Sequence, residues 1–160
     1  MPSSWLANLA LRLLRMAKFP HLLPVDAALW QQFLTEYGGS YSGFEYDVRV
    51  GSGRDPGEAY PGNIRYDAIV LSQRRIDVIG YQAKTITLFE VTASAGLTAL
   101  GQLIAYPHLF IETFSPDRAV QPHLVTYAFQ PDIEKLFVAQ AIPYTIIKPR
   151  QPVTITEAES

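Results

Sequence analysis

Arg75-Ile76-Asp77-Val78-Ile79-Gly80 and Thr85-Ile86-Thr87-Leu88-Phe89-Glu90-Val91-Thr92 are two β-branched, apolar runs separated by Tyr81-Gln82-Ala83-Lys84. Two such runs flanking a turn-sized break form a β-hairpin. Each run carries an acid inside it, Asp77 in the first and Glu90 in the second. If Gly80 pairs with Thr85, Asp77 lies opposite Leu88. Asp77, Leu88, Glu90 and Thr92 then share one face, because side chains alternate along a strand. The two acids become diagonal neighbours, roughly 7–8 Å apart. That is close enough to hold one hard divalent cation, Mg²⁺ or Mn²⁺, through carboxylate oxygens. Two acids among Ile76, Val78, Phe89 and Val91 are costly unless paired or metal-bound. The alternative is that Arg74 or Arg75 neutralises them, or that Asp77 lies at a solvent edge. Spacing does not choose between these.

Downstream, Leu97–Tyr106 has helical apolar spacing at 97, 100, 103 and 104. Leu124–Phe129 reads as a strand. Pro131-Asp132 opens a helix to about Ala139, capped by Gln130 or Asp132, and Tyr144–Lys148 reads as a last strand. Upstream, Asp26–Tyr37 is a helix burying Ala27, Leu29, Trp30, Phe33 and Leu34, stopped by Gly38-Gly39. Phe44–Val50 alternates apolar residues with Glu45, Asp47 and Arg49, the pattern of a half-buried strand. Residues 51–62 form a long loop rich in Gly and Pro, and loops of that length tend to be functional or mobile. Ile64–Leu71 is either a strand or a short helix. The order predicts an α/β fold with a mixed central sheet, in which an antiparallel hairpin is joined to right-handed parallel crossovers and helices cover both faces.

Residues 3–18 predict a separate helix, capped by Ser3 or Ser4. Trp5, Leu9, Leu13 and Met16 fall on one of its faces, and Pro20 and Pro24 end it. The stripe packs on the chain's own core, on a partner, or on a membrane surface, where only Arg12, Arg15 and Lys18 support it. A helix of this length is marginal alone in water. Docking on a partner subunit is the expectation, with 1–24 as docking helix and linker, 25–148 as the main domain and 149–160 as a polar tail.

The 160 residues are one domain's worth of chain, 48% hydrophobic and 18% charged, which excludes wholesale disorder. There is no cysteine, so disulfide scaffolds, thiolate metal sites and cysteine nucleophiles are excluded. A net charge of -2 means that nucleic-acid binding would need a local basic patch. No apolar run reaches a membrane span. No Lys or Arg precedes the first apolar run, so secretion is not expected.

The ordered set Asp77, Leu88-Phe89-Glu90-Val91-Thr92 and Ala99-Leu100-Gly101-Gln102-Leu103-Ile104-Ala105-Tyr106 resembles the PD-(D/E)XK nuclease superfamily, over about Asp26–Ile147. The resemblance implies a restriction-endonuclease-like fold in which Asp77 and Glu90 bind Mg²⁺ or Mn²⁺ and Gln102 joins the site. Glu36 matches a helix glutamate of the family less closely. Thr92 departs from the pattern, since the family places a lysine there, whose ammonium stabilises charge on the phosphate. Lys84 lies eight residues away on the same strand, about 26 Å at the strand rise, and Lys135 falls on a later helix. With Thr92 in this position the resemblance implies a phage-type member with a degenerate site. Its expected role is a structural or binding component of a larger assembly such as a virion head–tail or tail part, in the virion or the host cytoplasm, without a required cofactor. The alternative is a Mg²⁺-dependent DNA endonuclease. For DNA contact the candidates are Arg49, Arg54, Arg65, Arg74 and Arg75, set against Asp55, Glu58 and Asp67; scattered surface arginines are the other explanation. His21, His108 and His123 show no metal-ligand spacing.

Overall fold

The computed structural model describes residues 19–150. The stripe of Trp5, Leu9, Leu13 and Met16 lies outside the described residues.

Helix α1, Pro24–Tyr37, begins at a proline. Proline suits a first helical turn, where its missing N–H needs no partner. Pro24 therefore belongs to the helix and not to a linker. Ala27, Leu29, Trp30 and Phe33 are buried on its inner side, and the Trp30 and Phe33 rings stack at 5.0 Å. Phe19 and Leu22 are buried in the same cluster, so the body of the fold already includes them.

Strands β1 (Gly43–Val50), β2 (Arg74–Tyr81) and β3 (Thr85–Val91) pair antiparallel. After the two-residue β4 (Ser94–Ala95) comes helix α3 (Leu97–Phe114), numbered after α2 (Gly62–Ser72). Strands β5 (Ala119–Thr126) and β7 (Tyr144–Ile146) then extend β3 in parallel, giving the order β1-β2-β3-β5-β7. The short β6 (Ala128–Phe129) pairs with β4, and α4 spans Ile133–Ala139. Phe89, Val91 and Val125 face the α1 cluster, whereas Ile86 and Leu88 face Tyr106 and Phe110 of α3. The fold is thus a mixed α/β sheet with helices on both faces.

Several elements differ from the sequence reading for identifiable reasons. The hairpin turn is two residues tighter. Gln82 donates to Thr85 O, Gly80 faces Thr87 and Val78 faces Phe89. A slip of two preserves every face, so Asp77 and Glu90 stay together, and one further step of this register sets them on the same rung. Helix α3 runs through Pro107 to Phe114 instead of ending at Tyr106. The lost bond to Leu103 O is offset by burial of Leu103, Tyr106 and Phe110. Strand β5 starts at Ala119, and Pro122 is accepted because β7 pairs with β5 only from Leu124 onward. The final strand stops at Ile146. Residues 62–72 are a helix with none of them fully buried, so their apolar pattern carries little helical signal. Neither Gln130 nor Asp132 caps α4 through its side chain. Asp132 instead holds Lys135 at 2.8 Å. Among the described residues, no helix is long and apolar enough to cross a membrane.

One irregularity positions the site. The β1–β2 ladder pairs Tyr46 with Val78 and Val48 with Ile76, but skips the rung between them, Asp47 and Asp77. Asp47 has φ +56°. Before the skipped rung, Phe44, Tyr46 and Val78 pack on the α1 side; beyond it, Val48, Val50 and Ile76 pack on the α3 side. Both strands change face at the same point.

Candidate functional site

Side chains satisfy main-chain groups here: the skipped rung leaves the Asp77 carbonyl, and the β2–β3 ladder stops short of Val91. Asp77 Oδ2 accepts the Val91 N–H at 3.0 Å. His21 Nε2 lies 3.1 Å from the Asp77 carbonyl oxygen. Asp26, in the first turn of α1, accepts the Ala93 N–H at 2.8 Å. Burial raises the Asp77 carboxyl above its ordinary range against the opposing Val91 hydrogen bond, and the Asp26 charge adds to the rise. Burial raises Glu90 strongly, with the charge of Asp77 next. Asp26 is itself raised by burial. The chain therefore gathers three carboxylates within electrostatic reach of one another at one end of the sheet.

Gln102 of α3 reaches Glu90, and its neighbours fix the amide orientation. The amide nitrogen donates to Glu90 Oε1 at 3.0 Å and Thr98 O at 3.2 Å, and the oxygen accepts from the Tyr106 hydroxyl at 2.8 Å. That hydroxyl also lies 2.8 Å from Arg75 O, so its single proton is shared between the Gln102 oxygen and the Arg75 carbonyl where α3 meets β2. Glu90 is 8% exposed, and its Oε2 is buried with no hydrogen-bond partner among the described residues. An ionised oxygen left without a partner in such surroundings costs on the order of 1–3 kcal/mol or more, a cost that either a proton on Glu90 or a bound cation removes.

Three cavities run together across this end. One of about 330 Å³ holds Glu90, Thr92, Ser94 and Gln130. It shares Thr98 and Gln102 with one of about 520 Å³ that holds Asp77, Arg74 and Arg75. That one shares Gln73, Arg74 and Leu109 with a third of about 410 Å³ beside Gly51–Arg54. Together they form a groove, acidic at the strand ends and basic toward β1.

No family model matches the chain, and no curated protein does. Two solved structures are similar to it. The EndoMS-dsDNA2 complex aligns with a TM-score of 0.47 at 19% identity, over 78% of this chain and 45% of that one. The crystal structure of the protein of unknown function AF1548 aligns with a TM-score of 0.40 at 13% identity, over 74% of this chain and 55% of that one. The chain spans about half the length of either.

Of the expected site residues, Asp77, Glu90, Gln102 and Thr92 come together around the groove. Glu36 does not. It is exposed in the last turn of α1, whereas the first turn of that helix faces the site. Asp26 supplies the helix carboxylate there. Sequence reasoning passed over it as a helix start, although an acid in a first helical turn is also suited to bonding main-chain N–H groups. Tyr106, four residues after Gln102, is a further site residue; i, i+4 spacing on one helix is the signal that joins the two. Arg74 and Arg75 do not neutralise the acid pair by contact. Arg75 pairs with Asp47 at 3.2 Å and only partly offsets the rise at Asp77. Arg49 donates to Val70 O and Arg65 binds Asp55, so each already has a partner within the chain. Lys135 is exposed on α4, tied to Asp132.

Proposed function

We propose that this chain is a nuclease-like nucleic-acid-binding protein whose Asp77–Glu90 pair holds a divalent cation, and that its capacity for phosphodiester hydrolysis is weak because Thr92 stands where an ammonium would act. The buried, unpartnered Glu90 Oε2 beside Asp77 carries this reading. Among the described residues no group of three or more His, Cys, Asp and Glu side chains is arranged to hold a metal ion. Two carboxylates plus water and phosphate oxygens suit Mg²⁺ or Mn²⁺, since Mg²⁺ usually binds through one or two carboxylates. When bound, such a cation supplies Lewis-acid polarisation of a phosphoryl oxygen. The chain's own residues do the rest. Gln102 orients Glu90, Tyr106 orients Gln102, and Asp77 is held by the Val91 amide. Thr92 offers the groove a hydroxyl without charge, and a hydroxyl cannot replace the ammonium's stabilisation of developing negative charge.

The narrower reading, a component of a phage head–tail or tail assembly, draws on Thr92 and on the Trp5–Met16 stripe outside the described residues. Calorimetric titration with Mn²⁺ and Mg²⁺ tests the cation site. Binding should occur in the parent and be lost in Glu90→Gln. Equal binding in both proteins, or none in the parent, overturns it. Incubation of duplex and single-stranded DNA with Mg²⁺ should show little cleavage; rapid turnover that vanishes in Glu90→Gln would establish the endonuclease instead.

A further inference from the structure

The basic end of the groove is built differently from the acidic end. Its cavity of about 410 Å³ is walled by the Gly51–Arg54 loop and the Ser72–Arg74 segment, and no carboxylate lines it. The loop is fixed from several sides. Gly51 N–H donates to Thr113 Oγ1 at 3.0 Å, and Gln73 Nε2 donates to Gly51 O at 2.7 Å. Arg54 N–H donates to Ser72 Oγ at 2.6 Å, and that hydroxyl donates to Ile69 O at 2.9 Å. Gly53, at φ +66°, sits so close to the Ile69 carbonyl that a Cβ has no room. The loop's backbone is thus ordered before any ligand arrives.

Charge accounting along residues 49–75 then singles out two side chains. Arg49, Arg65 and Arg75 are engaged by Val70 O, Asp55 and Asp47. The guanidinium groups of Arg54 and Arg74 have no hydrogen-bond or ion-pair partner among the described residues, and both line this one cavity. Two guanidiniums without partners on an ordered wall, with no carboxylate in its lining, suit a phosphate group, whose oxygens match their donor geometry.

We infer that Arg54 and Arg74 form a phosphate subsite separate from the Asp77–Glu90 pair, and that it takes a backbone phosphate of a nucleic-acid strand lying along the groove. This rests on the nuclease-like reading for the identity of the polyanion. A free phosphate offers the same chemistry. Continuity with the acidic cavity through Gln73, Arg74 and Leu109 is what favours a strand.

The test measures binding of a labelled DNA duplex by anisotropy in EDTA across a salt series. The proteins are the full chain and its Arg54→Ala/Arg74→Ala, Arg54→Lys/Arg74→Lys and Arg118→Ala variants. Each phosphate contact contributes about 0.9 to the slope of log K against log salt. The double alanine variant should lose about 0.9 of that slope, for the one phosphate the pair holds, and at least about tenfold in affinity at low salt. The double lysine variant should keep the slope. Arg118→Ala, at the far end of β2 on Gln82 O, should keep it too. An unchanged slope in the double alanine variant overturns the subsite. Full displacement of the duplex by millimolar inorganic phosphate overturns its assignment to a strand. Mn²⁺ titration of the double alanine variant separates the two claims, because the cation site should be intact there. Loss of slope in a protein whose parent binds no Mn²⁺ sinks the cation reading and leaves the subsite standing.

Discussion

Asp77 Oδ2 accepts the main-chain N–H of Val91 at 3.0 Å, beyond the Val78–Phe89 pair at which the β2–β3 ladder ends. A carboxylate here acts as a piece of strand. Replacing it tests whether acceptor or charge matters to the fold. Asp77→Ala strands a part-buried amide and should cost about 1–3 kcal/mol. Asp77→Asn keeps an acceptor and removes a charge that burial disfavours, so it should match or exceed the parent. Urea denaturation of the three proteins in EDTA decides this; an alanine variant as stable as the parent would show that the Val91 bond contributes nothing.

Stability should depend on pH through the acid pair. Glu90 and Asp77 are both raised by burial, Glu90 further by the charge of Asp77. Above about pH 4 the folded chain therefore holds protons that the unfolded chain has released. The slope of unfolding free energy with pH is negative in that range. The contribution is complete below the unfolded values and is lost as pH rises through the folded ones. His123, lowered to about 4 by burial, acts in the opposite sense below its ordinary value. The difference between parent and Glu90→Gln cancels it. Thermal melts in EDTA should show the parent losing stability relative to Glu90→Gln from about pH 4 through neutrality. Saturating Mn²⁺, at about 100 times Kd, should return about 2.7 kcal/mol to the parent at neutral pH and nothing to the variant. Parallel melting profiles would contradict the burial argument.

Thr92 lines the same cavity as Glu90. Thr92→Lys places an ammonium there and should produce Mg²⁺-dependent DNA cleavage above the parent's level. Oxyanion-type donors are worth about 10²–10³ in rate, which sets the size of gain to look for. The gain should disappear in Thr92→Lys/Glu90→Gln. A lysine variant as inert as the parent would mean that more than this one group is missing.

How far the sequence reveals this site depends on which signals repeat. The hairpin was legible because two apolar β-branched runs bracket a break, and its faces survived a register error of two residues. The turn itself was not legible. Ala83-Lys84 lacks the Asn-Gly or Asp-Gly signature of a two-residue turn. Pro107 hid the second half of α3, since its local cost is visible in sequence and the burial of Phe110 that offsets it is not. Helix direction misplaced the early acid, because Glu36 and Asp26 lie at opposite ends of α1 and only tertiary packing shows which end meets the sheet. The skipped rung at Asp47 and Asp77 leaves no trace in an alternating pattern that continues through it.

Gly53 gives a prediction about the loop alone. Its positive φ and its contact with the Ile69 carbonyl exclude a Cβ. Gly53→Ala should destabilise by about 1–3 kcal/mol through backbone strain and displacement of the loop. Gly57, also at positive φ but with open space around it, should cost less on the same change. Urea midpoints measure both, and equal losses would mean that φ matters and crowding does not.

The change of face at Asp47 and Asp77 bears on how this sequence can drift. Slide β1 against β2 by one residue and the aspartates fall opposite apolar neighbours, while valines and isoleucines turn toward the wrong layer. Asp77 therefore keeps the two strands in step whether or not any chemistry takes place beside it, and a descendant that had abandoned catalysis would still be expected to retain it. Glu90 has no such second occupation. One of its oxygens meets Gln102 and the other has no partner among the described residues, so Glu90→Leu is expected to cost the fold less than Asp77→Leu. Of the two acids, Glu90 is the one whose place the strand pairing does not account for.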